Sequence, residues 1–390
     1  MKLPNYSNTS HRLLALTLAA SCAIGVLSAG AQNYSVTDLG VLPDQEHSEA
    51  TAINSNAQVA GTSGSAAFRY TETAKEKLEN VSKYTKGNSR GFGINDSGLV
   101  VGDSDFGGDV KHAAVFSNGS AVDLGTLKGY PVSRANDINS FNQVVGFATA
   151  TNDLSSGRAF ITTTSSGTGM TDVRTGMTDL GTLGGAYAQA WAINDSGFVT
   201  GNSQLKSDVG ATHAFLWSGN NGMRDLGTLG GDFSYGTSIN GRNHVVGYST
   251  LDQKNGAIHA FLYDGIVMRD LGSLGAPGDL DYSYALGVNS SDQVVGYTYL
   301  ASSELNNNAT PYGPWPVAFV YRKGIMQNLN DLIGEASKEY RLDRATAIND
   351  QGQIVAVAFV DSVGAFHAVL LTPITKPALE TTGFTSAVRR

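Results

Sequence analysis

The chain has 390 residues, a formal net charge of −8 and only 15% charged residues, against about 25% in an ordinary soluble protein. A mildly acidic chain offers no electrostatic footprint for nucleic acid and is repelled by an anionic membrane surface. Glycine is abundant at 47 residues and cysteine occurs once, the profile of a turn-rich all-β protein whose core must be large enough to replace disulfide staples.

Residues 1–31 contain Lys2 and Arg12 as their only charges, an apolar stretch over 13–27 and the small-residue site Ala29-Gly30-Ala31. That is the layout of a secretory signal peptide, and the apolar stretch is too short to span a bilayer. Cleavage after Ala31 predicts a mature chain starting at Gln32, with 24 basic and 34 acidic residues and a charge of −10. Cys22 lies inside this segment. Its acylation after Ala19-Ala20-Ser21 is the weaker reading, because the apolar run continues past it. No later apolar stretch is long enough to span a membrane, so the expected product is secreted, periplasmic or extracellular, and monomeric.

From residue 53 to 349 an apolar residue followed by Asn recurs seven times, at Ile53-Asn54, Ile94-Asn95, Ile138-Asn139, Ile193-Asn194, Ile239-Asn240, Val288-Asn289 and Ile348-Asn349. The spacings of 41, 44, 55, 46, 49 and 60 residues signal a propeller or array of one supersecondary unit. The unit is clearest over 177–263, where Asp179-Leu180-Gly181, Ala190-Trp191-Ala192-Ile193, Phe198-Val199-Thr200-Gly201 and His213-Ala214-Phe215-Leu216-Trp217 follow one another. Each piece is short, β-branched or aromatic, and bounded by turn residues, so each reads as a strand.

The turn Asn194-Asp195-Ser196-Gly197 fits a type I turn closed by a left-handed Gly. Gly98 and Gly352 recur at that place, and Asn56, Asn142 or Asn243 falls nearby where Gly is absent. Val144-Val145, Val245-Val246 and Val294-Val295 are apolar on consecutive positions, as strands covered on both faces require. Small residues such as Ala52, Ala190, Ala192 and Ala347 suit a strand crowded near an axis. Tight links join the His-Ala-Phe and Asp-Leu-Gly strands, and longer Gly-rich links lead to the next Ile-Asn strand. The blade order is then Ile-Asn innermost, Val-Val-Gly, His-Ala-Phe, and Asp-Leu-Gly outermost. A lone outer strand opens the mature chain at 34–39 and a lone third strand closes it at 366–371. Pairing them completes the seventh of seven four-stranded blades and hides the edges of an open array. The propeller is expected over 32–373, followed by a short disordered tail at 374–390.

The string from His213-Ala214-Phe215 through Asp225-Leu226-Gly227, Ile239-Asn240 and Val245-Val246-Gly247 resembles a bacterial extracellular repeat family named for its His-Ala-Phe motif. The match covers roughly 34–371 and departs from the motif at Ala66-Ala67-Phe68, Ala114-Val115-Phe116 and His367-Ala368-Val369. The resemblance implies export and a propeller-like fold, and no activity. Some members end in a Pro-Glu-Pro tail with an apolar helix; here neither is found after Pro373.

The recurring histidines (His112, His213, His259, His367) would be spread around a ring, too far apart for one metal. They are expected to bond a neighbouring strand or one of the recurring aspartates (Asp38, Asp123, Asp179, Asp225, Asp270), and those aspartates to cap backbone N–H groups in Asx-turns. The loops around Asp103, Asp105 and Asp109, and around Asp279 and Asp281, could hold calcium but lack its ligand spacing. No nucleophile motif, paired acid or phosphate loop stands out, so no catalytic residue, cofactor or metal ligand is assigned. The longest insertion, 299–316, gathers Tyr299, Tyr312 and Trp315 with three consecutive asparagines. Aromatic and amide side chains on a long loop suit contact with a glycan or a protein. A second insertion at 162–176 reads as a slipped duplication, Met170-Thr171-Asp172 before Met177-Thr178-Asp179. The sequence therefore points to a secreted, seven-bladed binding module. A propeller hydrolase or lyase acting on polysaccharide, or a matrix component, stands second.

Overall fold

The computed structural model describes residues 33–374, except 75–76, 84–86, 107–109, 118, 152–156, 163–175, 207–209, 252–255, 276–280 and 301–314. Seven four-stranded antiparallel sheets form a seven-bladed β-propeller, and the strand order in every blade is the expected one. In the fourth blade the strands run outward as Gly184–Ile193, Val199–Leu205, Thr212–Ser218 and Gly222–Asp225. The seventh blade is built from both ends of the chain. Tyr340–Ile348, Ile354–Val360 and Ala365–Pro373 are completed on the rim by Tyr34–Gly40, antiparallel to Ala365–Pro373.

The second strand of each blade is covered on both faces. Val245 packs with Ile239 and Phe261 in one core cluster, while Val246 packs with Ala260 and Ala285 in the next. The Gly that ends each Val-Val-Gly run is fixed by close approach. A Cβ on Gly201 or Gly247 would lie 1.9 or 1.7 Å from the carbonyl oxygen of Gln189 or Tyr235 on the inner strand. The same Gly lies opposite the buried Phe of the third strand, Gly201 against Phe215 and Gly247 against Phe261. In the seventh blade Ala356 faces Val369, so the added methyl is matched by a smaller partner. In the second blade Gly102 faces Ala114. The motif of that blade is therefore His112-Ala113-Ala114, two residues earlier than the sequence comparison placed it, and Phe116 fills the core one step along the strand.

The turns after the Ile-Asn pairs carry the expected left-handed residue at Gly98, Gly197 and Gly352, and at Asn142 and Asn243. In the first and sixth repeats the position falls instead on Ala57 (φ 57°) and Asp292 (φ 56°). Asn56 was the sequence choice for the first repeat. Its backbone N–H is taken by the Asn54 side chain at 3.0 Å, one step before the left-handed residue.

Polar staples join strands within each blade and one blade to the next. His112, His213, His259 and His367 each place Nδ1 2.8–3.0 Å from Asp123, Asp225, Asp270 and Asp38. Those aspartates accept from the N–H of the Gly two residues on, at 2.7–2.8 Å. The serine at the start of an inner strand completes the joint. Ser234 Oγ donates to Gly227 O at 2.5 Å and accepts from Ala214 N at 2.8 Å, so it clamps the preceding blade.

Candidate functional site

Every inner strand carries a β-bulge at the residue three before its Asn. A bulge leaves one residue unpaired and re-aims its side chain, and here that side chain lines the central channel. The bulged residues are Thr51, Thr237 and Thr346 on three blades, and Phe92, Asn136, Trp191 and Leu286 on the other four. The residue before each bulge is always Ala or Gly and the apolar-Asn pair after it never changes. Blade packing therefore fixes the flanks and leaves the lumen position free to differ.

One end of the channel is closed by structure common to all blades. The side-chain amide of each Asn donates to the backbone carbonyl of the next Asn around the ring, from Asn54 onto Asn95 O at 2.9 Å to Asn349 back onto Asn54 O at 3.2 Å. Its oxygen accepts from the N–H four residues on, as from Gln58, Leu99 and Phe198 at 2.8–3.1 Å. The mouth beyond this ring is a cavity of about 310 Å³ lined by the Ile-Asn turns. The waist of the channel, about 190 Å³, contains Asp137. Its carboxylate accepts from Ile138 N and Ile193 N, both at 2.9 Å. Burial among protein groups pushes it up to about 7, against the pull of those two N–H groups.

The other mouth is different. It is a cavity of about 370 Å³ walled on one side by Tyr235, Tyr248, Tyr284 and Tyr297. Tyr235 stacks on Tyr248 at 4.9 Å, Tyr284 on Tyr297 at 4.7 Å, and Tyr248 meets Tyr284 edge-on. Burial raises the phenol pKa of all four tyrosines, so they stay neutral donors. On the opposite wall the guanidinium of Arg134 lies 3.6 Å over the Phe92 ring, with Phe147 and Trp191 each 6.0 Å away. Trp191 is held by its indole N–H, which donates to Asn202 Oδ1 at 2.7 Å. The Arg134 side chain is half-buried, with its Nε shielded from solvent. Burial brings it down to about 10, with Asp103 opposing and Arg90 adding to the shift.

Tyr299 packs edge-on against Tyr297 and Tyr282 and so extends this aromatic wall. Trp315 lies elsewhere on the same end of the propeller, against Phe366, with the Arg341 guanidinium 4.8 Å over its ring. Tyr312 and the duplication at 163–175 lie outside the described residues. The acidic groups weighed for calcium are otherwise engaged. Asp103 is a buried strand residue, not a loop residue, paired with Arg90 at 2.5 Å and Lys111 at 3.5 Å. Asp281 accepts from Ser273 and contacts His259 Nε2 at 2.9 Å. Asp109 and Asp279 lie outside the described residues. Of the wall, Tyr297 stands at the edge of the insertion singled out in the sequence; the inner-strand residues were missed, although aligning the repeats on their Asn exposes two variable columns, three and five residues upstream, that hold them.

This geometry defines a seven-bladed propeller with one mouth shaped by the invariant part of the repeat and one by positions that vary among the blades. Over residues 132–365, from the inner strand of the third blade into the seventh, the chain matches the family described as "Protein of unknown function (DUF3466)", and it belongs to that family. No curated protein matches it. Among solved structures it is similar to TolB from Acinetobacter baumannii, at 11% identity over 87% of this chain and 66% of that one, with a TM-score of 0.41. It is also similar to Pyrococcus horikoshii acylaminoacyl peptidase, at 10% identity over 76% of this chain and 47% of that one, with a TM-score of 0.39. The chain thus spans just under two thirds and about half of those proteins, and neither likeness bears on activity.

Proposed function

We propose that this chain is an exported binding module of the repeat type named for its His-Ala-Phe motif, and that a glycan enters the tyrosine-lined mouth of its axis. The carrying observation is the contrast between neighbouring columns of the repeat. The residue before each bulge is always Ala or Gly and the apolar-Asn pair recurs, whereas the lumen positions hold Phe92, Asn136, Trp191 and Leu286 beside three threonines. Packing does not demand these side chains, and a rigid scaffold with variable inward residues is a binding architecture. Aromatic faces suit the C–H faces of a sugar ring, and phenol and threonine hydroxyls suit its hydroxyl groups. Tyr299 enlarges the same wall, and Trp315 and Tyr312 of the inserted sequence are proposed as further contacts.

The hydrolase reading stays second on one observation. Asp137 is a carboxylate in the channel held near neutrality, but glycoside cleavage uses two carboxyl groups at defined separation, and Asp137 is the only titratable group lining the waist among the described residues. Glycan-array binding of the chain from Gln32, followed by titration of a bound glycan, tests the proposal. Trp191→Ala and Tyr284→Ala should weaken binding by about 2 kcal/mol each with little change in melting temperature. Affinity that survives both substitutions would remove this mouth as the site. N-terminal sequencing of exported protein should read from Gln32; an intact Met1 or an acylated Cys22 would overturn the export step as drawn.

A further inference from the structure

Arg134 is the one charged residue lining the tyrosine-walled mouth among the described residues. The corresponding position on other inner strands shows how unusual its state is. Arg90, five residues before Asn95, is paired with Asp103 at 2.5 Å. Arg344, five before Asn349, is paired with Glu49 at 3.1 Å and Asp343 at 2.9 Å. Arg134, five before Asn139, has no hydrogen bond or ion pair among the described residues, and its Nε is a buried donor without an acceptor. The guanidinium face is covered by Phe92 at 3.6 Å. A stack of that kind offsets part of the loss of water but gives the N–H groups nothing to donate to. A partly buried guanidinium whose N–H groups lack acceptors is costly, and Asp103, already paired with Arg90 and Lys111, acts on it only at a distance; such a group is expected where a ligand supplies the missing acceptor.

A second orphan lies two residues further along the strand, at the bulge. Asn136 is 7% exposed and its amide donates to Ala190 O at 2.7 Å. Its Oδ1 is buried with no donor among the described residues, and it lines the same cavity. The mouth thus offers an unpaired planar cation and an unpaired neutral acceptor two residues apart on one strand. Opposite them is a wall of stacked phenols.

Resting on the reading of this mouth as a glycan site, we propose that the ligand is an acidic saccharide, a hexuronate. Its carboxylate accepts from the Nη groups of Arg134, and a ring hydroxyl donates to Asn136 Oδ1. A carboxylate matches the planar fork of a guanidinium in a way that a single-point lysine cannot. A neutral sugar could offer Arg134 hydroxyl acceptors but no charge to match the guanidinium, and a bare carboxylate would leave Asn136 Oδ1 and the tyrosine wall unused. The hexuronate satisfies all three.

The test uses the chain from Gln32 on an array of hexuronate-containing glycans, their methyl esters and matched neutral glycans, with carboxylate-terminated peptides as a further arm. Affinities of the bound members are then measured by calorimetry at low and high salt. The proposal requires hexuronates to bind at least tenfold more tightly than their esters, with the difference shrinking as salt rises. Arg134→Gln should abolish that preference, and Arg134→Lys should restore only part of it. The ester comparison needs no substitution, so it decides the matter even where an Arg134 variant fails to fold. If acid, ester and neutral glycans bind alike and Trp191→Ala still weakens them, the carboxylate contact is wrong while the glycan site stands. If only peptides bind, or no glycan binds, both readings fall.

Discussion

At the scale of single residues, the Asn ring explains why the repeat uses asparagine and nothing else. An Asx-turn needs only a side-chain acceptor, which Asp would supply equally well. The amide is required for its donors. Asn194 Nδ2 donates to Asn240 O at 2.9 Å and to Asn243 Oδ1 at 2.7 Å. Asn194→Asp would keep the turn and set a carboxylate against two oxygens, so a loss of about 2–3 kcal/mol in denaturant unfolding is expected. Asn194→Ala should lose a similar amount by leaving the same acceptors unpaired, and a smaller loss from Asp than from a serine replacement would speak against this account. Asp137 gives a pH signature. Its folded pKa of about 7 lies above the unfolded value of about 3.9. The folded chain therefore binds the extra proton between those limits. Stability is highest at the acid side and falls as pH rises from about 4 towards 7, by at most about 1.4 kcal/mol per pH unit. Asp137→Asn should flatten that part of the profile, as read by melting temperature against pH.

At the scale of the strand and the blade, the second-strand glycine and the third-strand phenylalanine act as one unit. Gly247 admits both the Tyr235 carbonyl and the edge of the Phe261 ring, which would lie 1.7 and 3.0 Å from an added Cβ. Gly247→Ala should therefore destabilise by about 2–3 kcal/mol. The seventh blade, with Ala356 facing Val369, shows that the pair changes together, so adding Phe261→Val should recover part of the loss. Equal losses in the single and the double variant would show that the carbonyl contact alone decides. This coupling also explains what was legible in the sequence. Asn240 answers to a contact that every blade repeats, and Gly247 and Phe261 to one that five of the seven repeat, so periodicity revealed the strands, their order and their number. Arg134, Asn136, Trp191 and Tyr284 answer to no such contact. They differ from blade to blade, and a search for what recurs passes over them. The insertion at 299–316 drew attention because it interrupts the period. The bulged column does not interrupt it, and its inward aim depends on a register shift that no single residue announces.

At the scale of the whole molecule, seven blades become one body only when the ring is shut. Each blade interface is a nearest-neighbour contact, and the seventh blade and its junction with the first join segments about 300 residues apart. Asp38 receives His367 at 2.9–3.0 Å, Ala368 N donates to Ser48 Oγ at 2.9 Å, and Thr346 Oγ1 donates to Ala50 O at 2.9 Å. The strand Tyr34–Gly40 also buries Tyr34 and Leu39, at 2% and 6% exposure. Removing it would uncover the backbone edge of Ala365–Pro373, and a long apolar edge strand is a template for pairing with another chain. A chain lacking residues 34–40 should therefore melt at a lower temperature than the parent and associate in a concentration-dependent way, seen by light scattering or sedimentation. Asp38→Ala is the milder probe. It removes the carboxylate that bonds His367 and caps Gly40 N at 2.8 Å, and it should cost about 1–2 kcal/mol without association. A truncated chain that stays monomeric and keeps the parent melting temperature would show that closure adds nothing, and that the six complete blades hold the ring by themselves.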